Sequence, residues 1–355
     1  MKKALTRRLW TAAAAAFATM ILVAGLPAAA AAVSDNVYTT TNLVSDLPGV
    51  AANTDPNLVN AWGLTSTSGS PWWVADNEAN VSTVYRPNGT TFRAPVQVPS
   101  APTGAVSNTG SSFVVSNGTT SAPAVFMFAT EDGTILGWNS SFLADPAAVA
   151  ATSPDAIYKG LAIAGNHLYA TDFHHGRVDV FDGSFQPVNT PGAFVDPGIP
   201  SGYAPFGIQN VDGTIVVTYA KQDADQEDDV PGQGHGFVDR FSTSGTFLGR
   251  VATHGQLNSP WGIAMAPTSF GRFSGDLLVG NFGDGQISAF EPQPDGTYEL
   301  VGQLRTSSRK VLTIDGLWAL QFGKGGTNNG PTTTLFFTAG PDGETHGLFG
   351  TITAG

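Results

Sequence analysis

From residue 60 to the end, short apolar and β-branched runs alternate with clusters of Gly, Asn, Asp and Pro, and long amphipathic helical patterns are absent. Short runs bounded by turn residues read as strands. They fall into units. Each unit opens on a small residue followed by an aliphatic, at Gly63, Gly104, Gly160, Gly207, Gly262 and Ala319, with gaps of 41, 56, 47, 55 and 57 residues. A second run follows in each: 71–76, 113–117, 167–172, 214–219, 276–281 and 334–339. Third runs include 81–85, 177–183 and 286–290, and most are followed by a Gly turn and a fourth run, such as 246–251.

Four strands per unit at this period describe a propeller blade, and six units describe a six-bladed all-β propeller. The sixth unit ends at Gly355 with three runs, while residues 37–44 have no unit of their own. This predicts that the N-terminal strand supplies the outer strand of the last blade, closing the ring and protecting its edges. The first strand of each blade lies nearest the axis, where backbones crowd, and glycine permits that approach. The residues just before these positions are Trp62, Thr103, Lys159, Phe206, Trp261 and Trp318. The rings either pack between blades or surround an axial binding site with Lys159.

Residues 1–32 have another character. Lys2, Lys3, Arg7 and Arg8 precede an apolar stretch and then alanines from Ala28 to Ala32, the form of a signal peptide. The Arg7–Arg8 pair admits twin-arginine export. Residues 33–355 are then one exported propeller domain, periplasmic or extracellular, with no membrane span. Loss of the four bases takes the formal charge from −12 to −16. Such a surface argues against nucleic acid and anionic membranes. The absence of cysteine excludes disulfides, thiolate metal sites and a cysteine nucleophile.

The fifth unit, Ser-Pro-Trp-Gly-Ile-Ala at 259–264 and Asp-Leu-Leu-Val-Gly-Asn-Phe-Gly-Asp-Gly-Gln-Ile-Ser-Ala-Phe at 276–290, resembles the NHL repeat. Gln286 stands where those repeats often carry a basic residue. The chain after residue 36 also resembles an uncharacterised family of secreted bacterial propeller proteins. That likeness rests on residues 42–49, 60–64, 219–225, 317–323 and 336–350. Some members end in a PEP-CTERM sorting signal; this chain ends Thr-Ile-Thr-Ala-Gly. The resemblance implies a fold and no activity.

Two stretches carry candidate chemistry. Asp223, Asp225, Glu227, Asp228 and Asp229 cluster in one loop, a composition suited to a hard cation such as Ca²⁺ or to a solvated acidic surface. His235 follows in a glycine-rich segment. Asp172 and His174 follow the second run of the third unit and suit a base or a ligand. His175, next to His174, points the opposite way in an extended chain. Asp76, Asn77, Asn117, Lys221, Asn281 and Asp342 stand at equivalent places and are expected around one face. A lactonase of the gluconolactonase kind needs a Glu on the first blade, and none stands near Asn60 or Trp62. Asn281 and Asp315 match its later ligands only loosely. The reading that follows is a binding protein using its axial face, with Trp62, Lys159, Phe206, Trp261, Trp318, Asp172, His174 and Asn281 as site candidates. Its partner is a small molecule or an envelope component. The alternatives are a metal-dependent hydrolase or lyase and a structural cell-envelope module.

Overall fold

The computed structural model describes residues 35–355, so the signal peptide expected at 1–32 lies outside the described residues. Six sheets follow one another around an axis as a six-bladed β-propeller. Blade one is Ala61–Thr65, Trp72–Asp76, Val81–Tyr85 and Thr91–Gln97. Blades four and five repeat the same antiparallel order, from Tyr203–Val211 to Phe247–Thr253 and from Pro260–Met265 to Tyr298–Gln303. Blade six has Leu317–Phe322, Leu335–Ala339 and Leu348–Ala354, and Tyr38–Ser45 adds antiparallel to its outer edge, with Tyr38 opposite Ala354. The closing strand is anchored by Tyr38. Its buried hydroxyl donates to the Phe270 carbonyl at 3.1 Å, and burial pushes its pKa up to about 12.

Two units differ from expectation. The second strand of blade two is Phe126–Thr130, between Pro102–Ser107 and Thr134–Trp138. The run at 113–117 instead forms a small hairpin, Val114–Ser116 with Ser121–Pro123. Phe113 has φ +63° and Val114 is 55% exposed, so this stretch lacks the burial on both faces that an inner strand needs. Blade three has three laddered strands, Tyr158–Ala164, His167–Asp172 and Arg177–Asp182; the fourth is reduced to a bridge between Phe181 and Pro187.

The second strands are unbroken apolar runs because each is covered on both sides. Successive side chains of a strand point to opposite faces. Trp72 therefore packs on Phe336 of blade six at 4.7 Å between ring centroids, while Trp73 stacks on Phe126 of blade two at 4.1 Å. The first strands crowd the axis. A Cβ on Gly207 would sit 2.2 Å from the Trp261 carbonyl oxygen, and one on Gly104 2.2 Å from the Leu161 nitrogen. Second-strand threonines tie neighbouring first strands together: the Ala319 N–H donates to Thr338 Oγ1, which donates to the Trp62 carbonyl at 2.5 Å, and Thr171 Oγ1 donates to the Phe206 carbonyl at 2.7 Å.

Gly207→Ala forces blades four and five apart at a backbone contact, an overpacking cost of about 1–3 kcal/mol. A thermal melt of that variant should show a lower Tm. An unchanged Tm would mean that the blades have slack at the axis.

Candidate functional site

The loops after the second strands and those entering the first strands meet on one face of the disc. There they wall a cavity of about 490 Å³ on the axis. Blade one contributes Trp62, Asn77 and Glu78, blade two Glu131, and blade three Ile157 and Lys159. The acidic loop of blade four contributes Glu227 and Asp228, and blade six Gly343 and Glu344.

Lys159 is the pre-glycine residue of blade three, and its position on the axis leaves it only 2% exposed. Its Nζ donates to Glu131 Oε1 at 2.5 Å and to Asp228 Oδ1 at 3.0 Å, and lies 5.4 Å from the Trp62 ring centroid. Burial disfavours the ammonium, but the two carboxylates outweigh it and raise its pKa, so the lysine is charged. The acids are held in turn by amides. Asn77 Nδ2 donates to Glu131 Oε2 at 3.0 Å, and Asn60 Nδ2 to Glu344 Oε2 at 2.7 Å. Asn60 sits at φ +49°, a left-handed conformation that Asn tolerates. Burial raises the pKa of the Glu344 carboxyl, the Asn60 hydrogen bond opposing it. Five carboxylates (Glu78, Glu131, Glu227, Asp228 and Glu344) thus line a cavity whose one ammonium is already engaged.

The axial aromatics lie beneath this cavity, packed on one another. Trp62 stacks on Trp318 at 3.6 Å, Phe282 stacks on the same ring at 4.0 Å, and Phe206 and Trp261 meet it edge-on at 5.8 and 5.7 Å. Trp261 Nε1 donates across the axis to the Lys159 carbonyl, and Trp318 Nε1 to Asn60 Oδ1. Trp62, Phe206, Trp261 and Trp318 are all buried. They form a plug through the channel, and of these four only Trp62 lines the cavity.

The five acids proposed for Ca²⁺ do not gather around one point. Asp228 turns to Lys159, Glu227 lines the cavity, and Asp223 Oδ1 accepts from the Glu227 N–H within its own loop. Asp225 is exposed. Asp229 is largely buried, which pushes its pKa up to about 6. Among the described residues, no group of three or more His, Asp or Glu side chains is arranged to hold a metal ion. His235 is folded into the same segment, its Nδ1 2.8 Å from the Val230 carbonyl.

Asp172 is fully buried, and its Oδ2 lies 2.7 Å from Nδ1 of His175 and 3.2 Å from Arg177. The imidazole oriented by Asp172 is therefore that of His175; His174 Nδ1 faces the Gln226 carbonyl at 3.3 Å. Asn281 is buried in a turn, donating to the Gln256 carbonyl and Asp284. Asn117 belongs to the outer hairpin of blade two and bonds Asp145, so it does not share the axial face.

A six-bladed propeller with an acidic axial cavity over an aromatic plug is the class that this fold and site define. No family model matches the chain. It is 34% identical over 327 residues to uncharacterized protein R648 of Acanthamoeba polyphaga mimivirus, covering 87% of this chain and 78% of that one. It is 32% identical over 331 residues to uncharacterized protein L690 of the same virus, covering 87% and 84%. The chain belongs to the family of these proteins. A solved structure of unknown function from Bacteroides thetaiotaomicron superposes with a TM-score of 0.57 at 8% identity, over 89% of this chain and 76% of that one, a likeness of fold alone.

Proposed function

We propose that the protein binds a small, positively charged organic molecule, an amine, in the axial cavity. One observation carries this reading: five carboxylates face a cavity whose only ammonium is buried and spent on two of them. Such a cavity concentrates cations. Room of about 490 Å³ accommodates an organic amine rather than a bare ion. The basic and apolar residues 1–32 support placing this binding outside the cytoplasm.

Calorimetric titration with putrescine and spermidine at low salt tests it. The expected result is saturable binding that weakens at least about tenfold in Glu131→Gln and in Glu344→Gln. Affinity should also fall as pH drops, because a carboxyl with a raised pKa loses its charge sooner. Neutral sugars binding as well as amines, with no effect of either variant, would contradict it.

A second reading, a hydrolase or lyase acting on a small molecule, is favoured by the buried Asp172 that orients His175. Turnover of a lactone or ester that is lost in His175→Ala and kept in His174→Ala would support it.

A further inference from the structure

The channel has a second mouth. On the opposite face, the far ends of the six first strands surround two adjoining hollows of about 290 and 160 Å³ that share Gln209, Asn210 and Gln321. A narrow extension reaches inward to Trp261, the underside of the aromatic plug. The two mouths are thus separated by the plug, and their chemistry differs. The axial cavity carries five carboxylates. The far mouth carries Lys324, the amides of Gln209 and Gln321, and an apolar wall including Ala105, Ile163, Ile263 and Met265, with Asp212 its only acid.

The polar groups of the far mouth are unevenly committed. Asn210 is used up: its Nδ2 donates to the Ile163 carbonyl at 2.9 Å and its Oδ1 accepts from the Gly213 N–H at 3.0 Å. The side-chain amides of Gln209 and Gln321 make no hydrogen bond among the described residues, although both line the hollow. Lys324 turns its ammonium inward to the Ser66 carbonyl, which takes one of its three protons. No carboxylate lies within salt-bridge distance of it among the described residues. Its side chain lines the hollow while the residue as a whole remains exposed, so the ammonium is accessible from solvent. Burial lowers its pKa, the direction expected of a cation that lacks a counter-charge.

We propose that the far mouth binds a small organic carboxylate, its charged end held by Lys324 Nζ and the Gln209 and Gln321 amides and its apolar body lying on Ile163, Ile263 and Met265. The ammonium offers charge-assisted hydrogen bonds. The uncommitted amides supply further donors without adding charge. The aliphatic wall suits a body of a few carbons and disfavours a hydrated inorganic anion. This site is independent of the acidic cavity, since the aromatic plug lies between them.

The test is a titration of the intact protein with sodium hexanoate, hexanol and sodium sulfate, followed by NMR or calorimetry. Hexanoate should bind saturably, with hexanol and sulfate each at least about tenfold weaker. Lys324→Met and, separately, Gln321→Leu should weaken hexanoate at least about tenfold while the melting curve shows each variant folded. Glu131→Gln, in the other mouth, should leave hexanoate affinity unchanged. The proposal is overturned if hexanoate shows no saturable binding, if hexanol binds equally, or if sulfate binds as well as hexanoate. It is equally overturned if folded Lys324→Met and Gln321→Leu proteins both retain full affinity, or if Glu131→Gln abolishes it.

Discussion

Lys159→Met is expected to destabilise the protein while strengthening its hold on cations. The substitution keeps most of the buried stem and removes the ammonium. Breaking a fully buried ion pair costs about 3–5 kcal/mol because a charge is left without compensation. That figure must be discounted here. Glu131 is 29% exposed and Asp228 74%, so water solvates much of what the lysine abandons. A loss of about 2 kcal/mol is the expectation, measured by chemical denaturation, and adding Glu131→Gln to the variant should recover part of it. The affinity change has the opposite sign. An ammonium about 6 Å from a bound amine, in a wet site, opposes it by about 1.4 kcal/mol, or roughly tenfold. Lower stability with unchanged or weaker amine binding would detach Lys159 from the ligand site and leave it a structural group only.

Trp318→Ala carries the largest expected effect on stability. The ring is 1% exposed and lies at the meeting point of the plug, stacked on Trp62 and Phe282 and met edge-on by Phe206 and Trp261. Truncating a buried tryptophan costs about 3–5 kcal/mol through lost burial and the cavity left behind. Here the loss also leaves Asn60 Oδ1 without its indole donor and loosens the residue that holds Glu344. Amine affinity should fall with stability. The exposed Val149→Ala serves as the control, expected within about 0.5 kcal/mol of the parent. A loss under about 1 kcal/mol for Trp318→Ala would mean that the plug is not a principal support of the ring.

The blade repeat was legible because each unit repeats the same physical demand. A small residue at the axis is followed by a second strand buried on both faces, and both leave plain marks in sequence. The closing strand was legible by default, since residues 37–44 had no unit of their own and blade six lacked an edge. The axial position of Lys159 followed from the same alignment. Glu131 is masked in the sequence because 113–117 has the apolar pattern of a second strand, which puts Asn117 at the axial position after it. The true strand ends at Thr130 and places Glu131 on the axis. Glu344 was hidden for another reason. In the sequence no Glu stands near Asn60, and the acid bonded to Asn60 arrives from blade six, 284 residues away; blade one's own Glu78 reaches the cavity only through the turn after its second strand. The acidic loop stands out in the sequence by its density of charge. Density does not determine direction, and its carboxylates divide between Lys159, the cavity, the loop itself and solvent.

The central claim is that the acidic axial cavity is a ligand site for amines. A crystal structure of the protein grown with spermidine tests it most directly. The account predicts an extended ligand in the axial cavity, with nitrogen atoms within about 3 Å of Glu131 or Glu344 carboxylate oxygens. A cavity holding only water, with spermidine bound elsewhere or nowhere, would contradict it.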